Sequence, residues 1–298
     1  MKSIAVIPKS TTQVFWKAVE AGAREGAKEA GVEIVWKGSL DEDDPAQQIQ
    51  IVDQFVSEGM SGIVLAPIDK KALKRPVAAA MQKGIPVVIM DSPLDGEPGE
   101  HFVSTVSTNN HRGGEMAGQE LGRLLNGRGK VVLFRFKEGS ASTGQRETGF
   151  LDAIKKFPDM QVIVDNRYSG TTAREAQSTA LEMLEQLKEA DGIFCPTEPS
   201  TLGMLLALKR NNLAGSKKLV GFDTSPGLMQ GLKTSEIQAL VIQNPKKMGH
   251  EAVKALVTKM KGETVPTVID SSAAIITKEN LDTPEIQALL ACFFAVFA

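Results

Sequence analysis

The chain has 298 residues, longer than a usual single domain, and its 42% hydrophobic and 23% charged content is a globular balance able to fill substantial cores. Net charge is −2 with no basic tract and no acidic tail, which disfavours a nucleic-acid surface and extended disorder. Two cysteines, Cys195 and Cys292, are too few and too far apart for a disulfide framework, and the apolar tail 289–298 falls short of the roughly 20 residues that cross a bilayer.

The sequence starts almost directly on a Val/Ile-rich run, "KSIAVIP", with no charged and apolar leader ahead of it. Two expectations follow: a cytosolic chain, or a mature chain whose signal peptide has been removed, Met1 being an added start. Similar runs recur at 3–7, 32–36, 62–66, 86–90, 131–136, 161–165, 192–195, 218–222 and 238–242. Most are continuously apolar, as parallel strands covered on both faces must be. Amphipathic stretches lie between them. Residues 15–31 and 44–59 each end on a Gly suited to a helix C-cap, and 172–190 reads as one long helix.

Alternation at about 25–30 residues per unit means βα units. At least four precede residue 105 and at least four follow it. The expected architecture is α/β, with two similar doubly wound parallel-sheet lobes. No Pro/Gly/Ser-rich linker separates the halves, so the junction near 101–110 reads as strand-like hinge segments.

Two apolar strands end on a carboxylate, "IPVVIMDSP" at Asp91 and "LVGFDTSPG" at Asp223. In open α/β sheets ligands bind outside the carboxyl ends of strands, so a charge there faces a crevice. Other residues fall at the same level: Gln13, Phe15 and Trp16 after the first strand, Arg146 after "KEGSASTGQ", the segment "TEPSTLG" after "GIFCP", and Gln243 after "IQALVI". A cation read as lying in a helix's first turn opposes the dipole, which marks Arg146. Carboxylates accept from sugar hydroxyls, Arg and amides donate to them, and an aromatic face covers the C–H face of a sugar. The set suits a small neutral polyol. Each residue also has a structural reading: Asp91 and Asp223 as turn or cap residues, Phe15 and Trp16 as core, Gln243 as the cap of the next helix.

The chain resembles the periplasmic sugar-binding proteins of the ribose-binding type, a type I periplasmic binding protein fold shared with LacI-type repressors. The resemblance spans the chain up to about residue 290, through "IAVIPKSTTQVFWKAVEAGAREGAKEAG", "GIVLAP", "GIPVVIMDSP", "VSTNNHRGGEMAGQEL", "GSASTGQRETGFLDAI", "VGFDTSPGLMQGLKTSEIQALVIQNPKKMGHEAV" and "KGETVP". It implies two lobes, 1–105 plus 244–270 and 106–243 plus 271–298, joined by a three-segment hinge near 105–107, 243–245 and 269–272. It implies a ligand set of Gln13, Phe15, Trp16, Asp91, Ser92, Arg146, Thr197, Phe222, Asp223 and Gln243. Ribose binders carry Asn where this chain has Ala66, Arg at Ser92, Asn at Thr197 and an aromatic near Gly170, with Tyr168 close by. Ribose is therefore in doubt. A larger hexose, a sugar alcohol or a modified pentose fits the departures, with Glu198 as a further acceptor.

The leading reading is a periplasmic, monomeric, non-enzymatic receptor that closes on a small neutral sugar or sugar alcohol. It delivers the solute to the membrane permease of an ABC transporter, or reports it to a chemoreceptor. No cofactor, metal or nucleic acid is expected. His101, His111 and His250 show no metal-ligand spacing, and no G-x-S-x-G or P-loop signature occurs. The alternatives are the effector core of a LacI-type regulator, which carries a helix-turn-helix ahead of this core, and a receptor for a furanosyl signalling molecule.

Overall fold

The computed structural model describes residues 2–40 and 42–294, the last three in backbone only. Two six-stranded sheets form the molecule. The first contains β1 (Ser3–Ile7), β2 (Glu33–Trp36), β3 (Ile63–Leu65), β4 (Val87–Met90) and β5 (Ser104–Ser107) in the order β5-β4-β3-β1-β2. The second contains β6 (Arg128–Arg135), β7 (Asp159–Tyr168), β8 (Gly192–Phe194), β9 (Lys218–Phe222) and β10 (Ala239–Gln243) in the matching order β10-β9-β8-β6-β7. A short late strand completes each sheet: β11 (Val268–Asp270) lies parallel to β5, and β12 (Ala273–Thr277) antiparallel to β10. The all-parallel expectation therefore gains one antiparallel edge.

Each sheet is covered on both faces. In β1 the four residues Ile4–Ile7 are fully buried, with Ile4 and Val6 in one apolar cluster and Ala5 and Ile7 in another. Helices α1 (Val14–Ala30) and α10 (Pro245–Met260) cover one face of the first sheet, α2 (Pro45–Ser57) and α3 (Lys74–Gln82) the other. In the second lobe α4 (Asn110–Leu124) and α5 (Ala141–Ile154) pack on one face, and α8 (Glu198–Arg210) and α9 (Pro226–Lys233) on the other. The stretch 172–190 is two helices, α6 (Ala173–Glu182) and α7 (Leu184–Glu189), because the buried Met183 between them leaves helical geometry at φ −107°, ψ 27°. Gly31 caps α1 at φ 66°, its N–H on the carbonyls of Ala27 and Lys28, as its position after the last periodic residue predicts.

The chain passes between lobes at 108–109, 244 and 271–272. Two expected boundaries shift. Val106 and Ser107 pair within the first sheet, so the first crossing lies beyond residue 105. After β12 the chain runs into α11 (Pro284–Phe294), which contacts α1 and α10 of the first lobe and, through Gln287 and Leu290, lines a groove with α9 of the second. That helix contains 289–294 of the apolar tail; 295–298 and Met1 lie outside the described residues. The first and third crossings are tied together: Ser271 N donates to Ser107 O at 3.0 Å and the Thr108 and Ser271 hydroxyls are 3.1 Å apart.

Small residues let the helices that flank the cleft approach closely. A Cβ at Gly114 on α4 would collide with the Arg146 carbonyl on α5, and one at Gly149 on α5 with the His111 carbonyl on α4. Gly22 and Gly249 stand in the same reciprocal relation between α1 and α10. Gly114→Ala is expected to destabilise the fold by about 1–3 kcal/mol through overpacking. Gly144→Ala on the same α5, where an added Cβ meets nothing within 4 Å, is expected to leave stability unchanged or raise it by up to ~1 kcal/mol. Urea unfolding of both variants checks this; equal midpoints would show that the helix contact tolerates a methyl group.

Candidate functional site

The strand-end carboxylates occupy equivalent places in the two lobes. Asp91 follows β4 at φ 65°, and its N–H donates to Val106 O of β5 at 2.9 Å. Asp223 follows β9 at φ 61°, and its N–H donates to Val241 O of β10 at 2.7 Å. Both are in the left-handed region, which Asp tolerates better than most residues. The turn breaks the strand direction while the backbone stays anchored to the neighbouring strand, and the carboxylate emerges into the cleft. Each is nearly buried, at 4% and 6% exposure.

Lys9, in the loop after β1, places Nζ 2.6 Å from Asp91 Oδ2. Arg146 is held by Asn110 Oδ1 at Nε (2.8 Å) and by Pro196 O at Nη1 (2.8 Å), with Nη1 3.7 Å from Asp223 Oδ2. Its guanidinium lies 3.8 Å over the Phe222 ring. Because α5 starts at Ala141, Arg146 is in the second helical turn, not the first. The dipole argument that singled it out is therefore weak; what fixes it is this ring and these acceptors. Gln243 Nε2 donates to Asp223 Oδ1 at 2.7 Å, and its Oε1 is buried without a partner. Asn244, not Gln243, caps α10.

These groups line one nearly closed cleft between the lobes, with a cavity volume of about 40 Å³. Of the expected set, Gln13, Phe15, Asp91, Arg146, Thr197, Asp223 and Gln243 line it. Trp16, Ser92 and Phe222 do not. Trp16 is 2% exposed and packs edge-on against Phe15, its indole N–H on Glu42 Oε1 at 2.9 Å. Phe222 is wholly buried as the platform under Arg146. Ser92 Oγ accepts from Lys9 Nζ and from the backbone of Ser142. Thr197 reaches the cleft, but its hydroxyl is engaged in the capping box of α8 with Ser200.

Several lining residues escaped the sequence reading: Lys9, Glu42, Phe136, Ser140, Ser142 and Thr143. Lys9, immediately after β1, follows the rule that picked out Asp91, and Phe136 stands just past β6. The serines and the threonine belong to the start of α5, whose expected beginning was several residues later. Glu198, read as a further acceptor, lines the cleft; Tyr168 is 40% exposed and does not. Gly170 adopts φ 77°, and a Cβ there would press on Glu175, so no ring fits at that position; Phe136 provides the aromatic wall instead. Ala66 is buried, its carbonyl accepting from Gln48.

Burial dominates the electrostatics. It raises Asp223 to about 6, against the attraction of Arg146 and the Gln243 hydrogen bond, with the charges of Asp91 and Glu42 adding to the rise. Burial also raises Glu198, opposed by the Ser225 hydroxyl and reinforced by Asp223. It lowers Arg146 in spite of the four surrounding carboxylates. Among the described residues no cluster of three or more His, Cys, Asp or Glu is placed to hold a metal. Cys195 is a free, fully buried thiol whose pKa burial raises well above its ordinary value.

A family model described as a periplasmic binding protein domain matches residues 4–264. Among solved structures, a carbohydrate transporter solute binding protein from Agrobacterium radiobacter, in complex with D-arabinose, has a TM-score of 0.91 and 32% identity, covering 97% of this chain and 98% of its own. An ABC transporter solute binding protein from Agrobacterium vitis with bound D-fucose gives 0.91 and 30%, covering 96% and 98%. The D-allose-binding periplasmic protein of Escherichia coli (strain K12) is 26% identical over 268 residues, 88% of this chain and 86% of that protein.

Because the folded-state pKa of Asp223 is raised from 3.8 to about 6, its contribution to stability is full below about pH 4 and is lost as pH rises through 6. Asp223→Asn keeps an acceptor for Gln243 and removes the charge. The stability of the variant relative to the parent is expected to grow between pH 4 and pH 7 by on the order of 2–3 kcal/mol. Denaturant unfolding at a series of pH values reads this directly, and a constant difference would mean Asp223 is not perturbed.

Proposed function

Because the chain belongs to the periplasmic binding protein domain family, we propose that it is the solute receptor of an ABC-type importer. It captures a small neutral sugar or polyol between its lobes and delivers it to a membrane permease in the periplasm. The observation that carries this reading is the pairing of cleft charges: Asp91 is neutralised by Lys9 and Asp223 faces Arg146. A cleft that supplies a cation for each strand-end carboxylate suits hydroxyl-rich neutral solutes, to which the carboxylates and Arg146 offer hydrogen bonds. The sugars named for the similar proteins, D-arabinose, D-fucose and D-allose, belong to that class.

In this reading Asp91, Asp223 and Glu198 accept from sugar hydroxyls, Arg146 and Gln13 donate, and the buried Oε1 of Gln243 accepts one further hydroxyl. Phe15 and Phe136 cover the C–H faces of the ring. Hydrogen bonds to charged groups contribute about 1.5–3 kcal/mol each, so a few of them reach micromolar binding, about −8 kcal/mol. The ligand touches both lobes only when they are shut, and so shifts the equilibrium toward closure. One chain supplies both walls, so the receptor acts as a monomer. No bond in the solute is made or broken.

Titration calorimetry with D-arabinose, D-fucose, D-allose and xylitol tests the proposal. At least one is expected to bind at micromolar or tighter Kd, with a fall in radius of gyration at saturation. Arg146→Ala is expected to weaken that binding about 30-fold or more, since it leaves Asp223 without its cation and Asn110 Oδ1 without its donor. Absence of binding across the panel, or equal affinity in the variant, would overturn the reading.

A further inference from the structure

Closure in this molecule has a component centred on a side chain behind the cleft lining. Ser92 follows Asp91 in the first lobe and is 1% exposed. Its Oγ accepts from Lys9 Nζ at 2.9 Å, within its own lobe. The same oxygen accepts from the backbone N–H of Ser142 at 3.3 Å, across the cleft in the first turn of α5. That N–H is one of the donors at a helix start that have no partner inside the helix. Lys9 Nζ also reaches Ser142 Oγ, at 3.4 Å. With Asp91, Ser92 and Ser142 as acceptors, the three protons of the ammonium are all directed at protein oxygens. A second tie crosses nearby, where Lys137 Nζ donates to the carbonyl of Glu42.

We infer that Ser92 is a closure latch: a positioning residue that joins Lys9 of one lobe to the start of α5 of the other and stabilises the shut form without touching the solute. This rests on the solute-receptor reading for its consequence in binding, but the latch itself is a property of the two lobes. A residue that touches the sugar changes affinities one sugar at a time. A latch instead sets the fraction of molecules able to shut, and apparent Kd scales inversely with that fraction for every solute alike. Where ribose-type receptors carry an arginine at this position, a serine is short enough for α5 to approach and be held.

Ser92→Ala removes the shared acceptor while leaving the Lys9–Asp91 pair in place. Affinities for D-arabinose, D-fucose, D-allose and xylitol are expected to fall by one common factor of about 5, the one hydrogen bond that Ser92 makes across the lobes being lost. The loss is expected mainly in the dissociation rate. A change in the rank order of the sugars would make Ser92 a specificity contact and overturn the latch; unchanged affinities would overturn it equally. Should none of the four sugars bind, the sugar-capture reading fails, and the latch is then decided without ligand. Interlobe distance distributions from spin labels on the ligand-free protein are expected to shift to longer separations in Ser92→Ala, and superposable distributions would refute it.

Discussion

Two carboxylates are carried into a nearly dry cleft at the ends of core strands, and neither is tolerable there alone. An unpaired buried charge costs several kcal/mol, so the surrounding structure has to supply a cation or withdraw the charge. At Asp91 the solution is direct, with Lys9 at 2.6 Å. At Asp223 it is partial: Arg146 Nη1 stands at 3.7 Å while donating to Pro196 O, its Nε is tied to Asn110, and burial raises the carboxyl to about 6. Each cation belongs to the same lobe as its carboxylate. Each strand-end carboxylate therefore has its cation before the lobes meet, and closing leaves neither of the two without a partner.

That arrangement depends on backbone geometry repeated in both lobes. The same strand order, the same left-handed aspartate and the same anchor onto the neighbouring strand recur at Asp91 and Asp223. Arg146 reaches its place because α5 lies against α4 with only glycine between the backbones at Gly114 and Gly149. Gly114 backs directly onto the Arg146 carbonyl, so a packing residue with no polar atom sets the position of a guanidinium. Phe222 works likewise from below, buried among core residues and offering its ring face to the cation.

The strand-ends rule made much of this legible. Apolar runs matched nine of the twelve strands among the described residues to within a few positions, missing β5, β11 and β12 beside the crossings, and a charge at the tip of a buried strand marked Asp91 and Asp223 without any knowledge of the partner lobe. What the sequence did not separate was a side chain in the cleft from one that supports it. Trp16 and Phe15 are neighbours at the start of α1, yet one faces the cleft and the other turns its N–H to Glu42. Thr197 and Ser92 have hydroxyls suited to a ligand, but local partners engage them: the cap of α8 in one case, Lys9 and Ser142 in the other. Such distinctions depend on contacts between segments distant in sequence. Lys9 was missed for a different reason. It obeys the same rule as the aspartates, but a lysine near a chain start reads as a solvated charge until its buried partner, 82 positions later, is known.

A receptor that must release its cargo also limits how strongly the lobes can hold one another. Direct ties between lobes lower the cost of closure for every solute, but a tie that kept the empty protein shut would block entry. The cross-cleft bonds here are few and made at modest length: 3.3 Å from the Ser142 N–H to Ser92 and 3.4 Å from Lys9 to Ser142 Oγ, beside the Lys137 contact. Burial lowers the pKa of Lys137, so the lobe contact that covers its ammonium also weakens its hold on the proton. Net hydrogen bonds of about 0.5–1.5 kcal/mol each bias a two-state hinge without fixing it. The solute then supplies the remainder, through oxygens and nitrogens that both lobes present only when they have met.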